Sequence, residues 1–280
     1  MGGGRALKPR QAFDSVDGAF FAPTMVITPG RIAYLGLLGS PTQRNFGALA
    51  IYVSVGAPFT LWVGGRPRQS LYGIVDPYVP HRIASTDRYI MQILIEAETL
   101  GRDHPFKSPD TMYSARIAER VTTGFATDND DIVECADFDM RFFEQKLPPR
   151  AIDRRIARVT KQIRDNPAGR HSAEGFADQA NLSLSRFTHL FREEADTTLR
   201  RFCAWKRARG VMAFVKCEER LVETALSAGF ADSTHLSHSV RHFFGLRPKD
   251  ILAGSRHLTL ICRNRVPLAP IHDAYDDWYR

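Results

Sequence analysis

The chain of 280 residues is 44% hydrophobic and 10% aromatic, a balance that suits two globular domains and offers no apolar run long enough to span a membrane. Its net charge of +7 is confined to one half: residues 1–150 hold 16 Lys and Arg against 16 Asp and Glu, whereas residues 151–280 hold 22 against 15. One half has the charge of a polyanion-binding module and the other does not. The four cysteines, Cys135, Cys203, Cys217 and Cys262, form no CxxC pair. That argues against a disulfide framework or a zinc knuckle, and for reduced thiols in a cytoplasmic protein.

The opening residues carry Gly and charge without periodicity and read as a loose tail with no apolar leader core. From about Met25, short runs such as ALAIYVSV, FTLWVGG, SLYGIVD and RYIMQILIE are separated by Gly, Pro and Asp. Strands at turn-punctuated intervals predict a β-barrel or sandwich. From about Pro109 the period becomes helical, in TMYSARIAERVTTGF and DFDMRFFEQKL. These two helices either pair two chains or pack on their own barrel. The prolines of LPPR (147–150) end the first domain, 1–150.

Everything that follows reads as helix. AIDRRIARVTKQIRDNP places Ile152, Ile156, Val159 and Ile163 on one stripe. Two helix pairs come next. In the first, a corner at Asn181-Leu182 precedes a helix from Ser183; in the second, a corner at Gly229-Phe230 precedes a helix from Asp232. Asn and Gly tolerate the positive φ of a tight corner, and Ser and Asp cap helices. Each second helix has a core stripe, Phe187, Leu190 and Phe191 in one and Leu236, Val240, Phe243 and Phe244 in the other. The remaining faces carry Ser185, Arg186, Thr188, His189 and Arg192, and Ser233, Thr234, Ser237, His238 and Arg241. These side chains read base edges and neutralise phosphates. His235, His238 and His242 make a row that invites a metal reading. The row lies at the border of the core stripe, and its one nearby acid, Asp232, is used in capping, so the expectation is no metal.

Residues 151–256 resemble the DNA-binding domain of AraC/XylS-type bacterial transcription regulators. The resemblance is carried by Gly229-Phe230-x-Asp232, Arg241 and Phe244-Gly245-Leu246-Arg247-Pro248, with Ser183 to Phe191 in support. Asn181 and Asp196 stand where glycine is usual in the family, and Val240 where an aromatic is common. The resemblance implies an α+β protein: an N-terminal cupin-like β-barrel with flanking helices, and an all-α C-terminal domain of two helix-turn-helix units joined by a long helix around Phe202 to Val215. It also implies a ligand-responsive activator, a homodimer that binds double-stranded promoter DNA and contacts RNA polymerase. Lys206, Arg207, Arg209 and Arg247 would then touch phosphate, and residues 257–280 form a tail.

VDPYVPHRIAS (75–85) is similar to a turn common in those barrels. Only His81 and His104 occur in residues 1–150, too few and wrongly spaced for a catalytic cupin. A binder without cofactor, not an enzyme, is expected; a cupin-type enzyme with an accessory helical domain is the rival. For the effector, Arg116 and Arg120 form an R-x-x-x-R, and Arg68, Ser70 and Gly73 are similar to the second element of PilZ receptors. With Arg66 added, this set suggests a small anionic effector, cyclic di-GMP first, because arginine binds phosphate bidentately and stacks on bases. A sugar or aromatic effector is the alternative.

Overall fold

The structure is a computed structural model that describes residues 23–107, 111–126, 132, 134–215 and 221–262; the expected N-terminal tail and residues 263–280 lie outside them. Strands β1 (Thr24–Ile27), β2 (Arg31–Leu37), β3 (Ala48–Ser54), β4 (Phe59–Val63), β5 (Arg66–Ser70), β6 (Tyr72–Val75), β7 (His81–Ala84) and β8 (Tyr89–Glu96) fall on the β-branched and aromatic runs. A further strand, β9 (Thr259–Cys262), follows the helices of the described residues. The larger sheet has the order β6-β3-β8-β2-β1-β9, and the smaller β5-β4-β7. Every ladder is antiparallel except β1–β9. The expected barrel is therefore two hydrogen-bonded sheets, joined at the Leu71 corner between β5 and β6. The expected tail from 257 begins as a sheet strand, with Thr259 N donating to Pro23 O at 2.8 Å.

The larger sheet is covered on both faces, so β3 is buried from Ala48 through Val53. On one face Leu49, Ile51, Val53, Ile93 and Ile95 meet α1 (Thr111–Ala126) and α2 (Cys135–Phe143), through Ile117, Val121, Phe125, Phe138 and Phe142. Both helices turn these apolar stripes onto their own sheet. A buried ion pair, Arg31 Nε to Asp139 Oδ1 at 2.8 Å, ties α2 to β2. On the other face Ala50, Tyr52 and Leu94 meet Phe59, Leu61 and Ile83 of the small sheet.

That same face also receives the helical half: α3 (Arg154–Asp165), α4 (Ala173–Gln179), α5 (Leu184–Ala195), α6 (Leu199–Gly210), a 3-10 turn (Val211–Phe214), α7 (Leu221–Ser227), α8 (Ser233–Phe244) and α9 (Pro248–Gly254). The expected long helix is α6 plus the 3-10 turn. Trp205, wholly buried, lies on the sheet at Gly47, where a Cβ would come within 2.4 Å of the indole. Only glycine permits that approach. Trp205 Nε1 donates to Glu96 Oε2 at 2.9 Å. α3, α4, α5 and the start of α6 enclose a separate core of Ile156, Val159, Ile163, Phe176, Phe187, Phe191 and Phe202.

Candidate nucleic-acid interface

The two helix pairs, α4–α5 and α7–α8, turn the same corner. In the first, Asn181 has φ 51° and Leu182 N donates five residues back to Ala177 O at 2.9 Å. In the second, Gly229 has φ 78° and Phe230 N donates five residues back to Ala225 O at 2.9 Å. Both are the left-handed C-terminal turn that closes a helix while satisfying its last carbonyls. A side chain at Gly229 would also strike Ala168, 2.4 Å from a Cβ. Ser183 Oγ then accepts from Arg186 N at 3.2 Å, and Asp232 Oδ1 from His235 N at 2.7 Å, so each second helix starts on a side-chain cap.

α5 buries Phe187, Leu190 and Phe191 and exposes Ser185, Arg186, Thr188, His189 and Arg192. α8 buries Leu236, Val240, Phe243 and Phe244 and exposes Thr234, His238 and Arg241, with Ser233 and Ser237 half-buried. The ten residues read as base-facing are thus on the outer faces of two matching helices. Beside α5, a groove of about 710 Å³ is walled by Ser185, Thr188, His189 and Arg192 and by Arg200 and Arg207 of α6. Its three polar side chains and three guanidinium groups make a hydrogen-bonding, cationic surface, the chemistry that suits a backbone phosphate. Arg207 is steadied there by Nε donating to Pro167 O at 3.2 Å. Arg200 was not picked out from the sequence; its place one face-turn before Arg207, seven residues on, is the signal that could have found it.

Lys206 is a correction. It sits one residue from Arg207 but faces inward, 3% exposed, with Nζ bonded to Glu96 and, at 2.6 Å, to Glu98 Oε1. Arg209 pairs with Glu96 Oε1 at 2.6 Å, and Arg164 with Glu98 Oε1 at 3.8 Å. These cations hold the two halves together and are not free for phosphate. Burial alone would raise the Glu96 carboxyl, but Lys206 and then Arg209 hold it below its usual range. Arg247 is exposed and forks onto Asp250, Nε to Oδ2 at 2.7 Å, at the start of α9.

The three histidines serve different neighbours. His235 meets the Phe230 ring edge-on at 5.4 Å, His242 Nε2 lies 3.3 Å from Asn45 Nδ2, and His238 faces outward. The suggested effector residues are not brought together. Arg66 and Arg68 are exposed on β5, Ser70 Oγ accepts from Tyr72 N at 3.2 Å, and Gly73 backs onto Leu61. Arg116 is exposed on α1, and Arg120 is bonded to Glu144. α1 and the small sheet lie on opposite faces of the larger sheet, which separates the two arginine groups.

A cavity that no sequence pattern indicated lies between the halves. It measures about 680 Å³ and is walled by Met25, Ile32 and Leu94 of the sheet and Met212, Phe244 and Ile251 of the helices. Arg44 and Gln92 border it, 5% and 7% exposed, and Arg44 Nε and Gln92 Nε2 have no hydrogen-bond partner among the described residues. Unpaired buried donors are costly unless something fills them. Arg44 Nη1 donates to Tyr52 OH at 3.4 Å, and Tyr52 OH lies 2.7 Å from His81 Nε2. Burial, with the Arg44 charge beside it, drives the His81 imidazole down to about 4. Its folded value thus lies below the ordinary 6.5, so the unfolded chain binds more protons between the two. Stability should be full above pH 6.5 and fall by about 3 kcal/mol as pH drops to 4. Urea unfolding across that range checks this, and His81→Gln should flatten the slope.

Residues 176–254, from within α4 to the end of α9, match a family model described as a helix-turn-helix domain. In overall fold the chain is similar to ToxT of Vibrio cholerae. A ligand-free variant from strain SCE256 aligns with TM-score 0.54 and 9% identity over 80% of this chain and 97% of that one. ToxT from strain O395 gives 0.53 and 11% over 80% and 97%, and wild-type ToxT bound to an unsaturated fatty acid gives 0.52 and 9% over 80% and 95%. At such identity the likeness is one of fold. No curated protein matches the chain in sequence.

Proposed function

We propose that this protein is a ligand-responsive, sequence-specific DNA-binding transcription regulator of the AraC/XylS type. The observation that carries this reading is the repeated unit: two capped helices after corners of the same type, each with an apolar inner face and a hydrogen-bonding, cationic outer face. α5 and α8 are its recognition helices and enter successive major grooves of promoter DNA. Arg207 and Arg200 hold the backbone beside α5. The protein performs no chemistry; it acts in the cytoplasm as a homodimer and activates by contact with RNA polymerase.

The effector occupies the cavity between the halves. Its apolar wall and two unpaired buried donors fit an amphipathic carboxylate, with the head on Arg44 and Gln92 and the chain among Met25, Leu94 and Met212. An unsaturated fatty acid, the ligand named for ToxT, has that chemistry. Cyclic di-GMP has less support, because the six residues suggested for it lie on two sides of a sheet.

Two variants test the DNA reading. Arg186→Ala and Arg241→Ala should each weaken binding to a selected site by about 1–3 kcal/mol and relax base preference at one position. Full affinity and unchanged preference in both, by fluorescence anisotropy, would refute it. Calorimetry with oleate tests the effector: micromolar binding is expected in the wild type and none in Arg44→Ala.

A further inference from the structure

The buried cores divide the chain at a different place from the proline boundary at 147–150. α5 rests on the separate core it shares with α3, α4 and α6. α8 has no such core. Ala225, Phe230, Leu236, Val240, Phe243 and Phe244 lie in one cluster with Ile32, Ala50, Tyr52 and Leu94 of the sheet. The second helix pair is thus built onto the N-terminal half, and the first is built onto itself.

The end of α8 is also gripped directly. Thr42 donates twice to Gly245 O, from N at 2.8 Å and from Oγ1 at 3.1 Å. Asn45 N donates to Phe243 O at 3.0 Å, and its side chain meets His242. These orphan carbonyls of a helix end need partners, and the N-terminal half supplies them. The gripping segment is the one that carries Arg44, and Gly39, Thr42, Arg44 and Phe46 all line the cavity together with Arg241 and Gly245. The end of α5 is held elsewhere: Arg102 Nη2 donates to Glu193 O at 2.7 Å, and Arg150 pairs with Asp196 at 2.6 Å. Neither arginine touches the cavity.

We infer that the cavity is coupled to the second recognition helix and not to the first. A ligand on Arg44 moves residues 39–46, and α8 moves with them, while α5 stays on its own core. The effector therefore changes which second half-site the protein accepts, or how tightly, and leaves the first half-site alone. This rests on the reading that the cavity takes an amphipathic acid and that α5 and α8 face DNA.

The test uses the full chain and amide hydrogen exchange, followed separately in α5 and α8, with Thr42→Val and Asn45→Ala as grip variants and oleate as the probe. Without ligand, the variants should speed exchange in the last turns of α8 at least fivefold and leave α5 unchanged. Oleate should alter α8 and spare α5 in the wild type. On DNA, scrambling the α8 half-site should cost the variants a different factor from the wild type, and scrambling the α5 half-site the same factor. Equal changes in both helices, or none in α8 of the folded single variants, overturn the inference. If oleate fails to bind but the variants loosen α8 alone, the effector reading fails and the coupling of this segment to α8 stands. Failure to bind DNA would sink the regulator reading, while exchange would still decide the coupling.

Discussion

Lys206→Ala should lower the unfolding free energy by about 3–5 kcal/mol, the cost of stranding buried charge. The ammonium sits between Glu96 and Glu98, all three at most 6% exposed, and its loss leaves both carboxylates short of a partner. Arg200→Ala, an exposed change on the groove side of the same helix, should stay within about 0.5 kcal/mol. Urea midpoints for the two variants give the comparison. The Lys206 deficit should also shrink in acid. Glu96 is held below its ordinary value when folded, so its contribution is present above the unfolded value and is lost as pH falls through the folded one. A Lys206 variant as stable as the wild type, with weakened DNA binding, would return this residue to the phosphate-contacting set.

DNA affinity should fall steeply with salt. Arg186, Arg192, Arg200, Arg207 and Arg241 line the two outer faces or the groove beside them, and each phosphate contact releases condensed counterions. Six such contacts, from Arg192, Arg200 and Arg207 of each protomer of a dimer, would reduce affinity by about a thousandfold between 50 and 200 mM salt. Arg200→Ala and Arg207→Ala should each lower the slope of log affinity against log salt by about one, with base preference unchanged. Arg186→Ala should instead change preference. A slope near zero would mean that these faces do not meet a phosphate backbone.

The features legible in the sequence are the local ones. The corners at Asn181 and Gly229, the caps Ser183 and Asp232 and the stripes of α5 and α8 are set by residues within about a dozen positions of one another, and periodicity and turn chemistry report them. The features missed are made by distant partners. Lys206 reads as one more cation in a basic helix until Glu96 and Glu98, over a hundred residues earlier, are brought beside it. The cavity is walled by both halves, so neither half's pattern encodes it. The arginine set proposed for cyclic di-GMP is an arrangement along the chain that the larger sheet cuts in two. β9 is four residues long and follows a helical region, so nothing in its own pattern marks it as a strand.

That strand changes the mechanical character of the molecule. The helical half leaves the first domain at residue 150 and returns to it at Thr259, where β9 lies parallel to β1 in register Thr24↔Thr259 to Ile27↔Cys262. It is a closed loop with two anchors, not a bead on a string. With one anchor, a module can drift and rotate over the whole reach of its linker; with two, it can only hinge about the line between them. Each detachment leaves the lost partner at high effective concentration, so recapture is fast. Large separation of the halves therefore requires stripping a strand from a sheet edge, and signals that pass between them must do so through small displacements at a seam that stays shut.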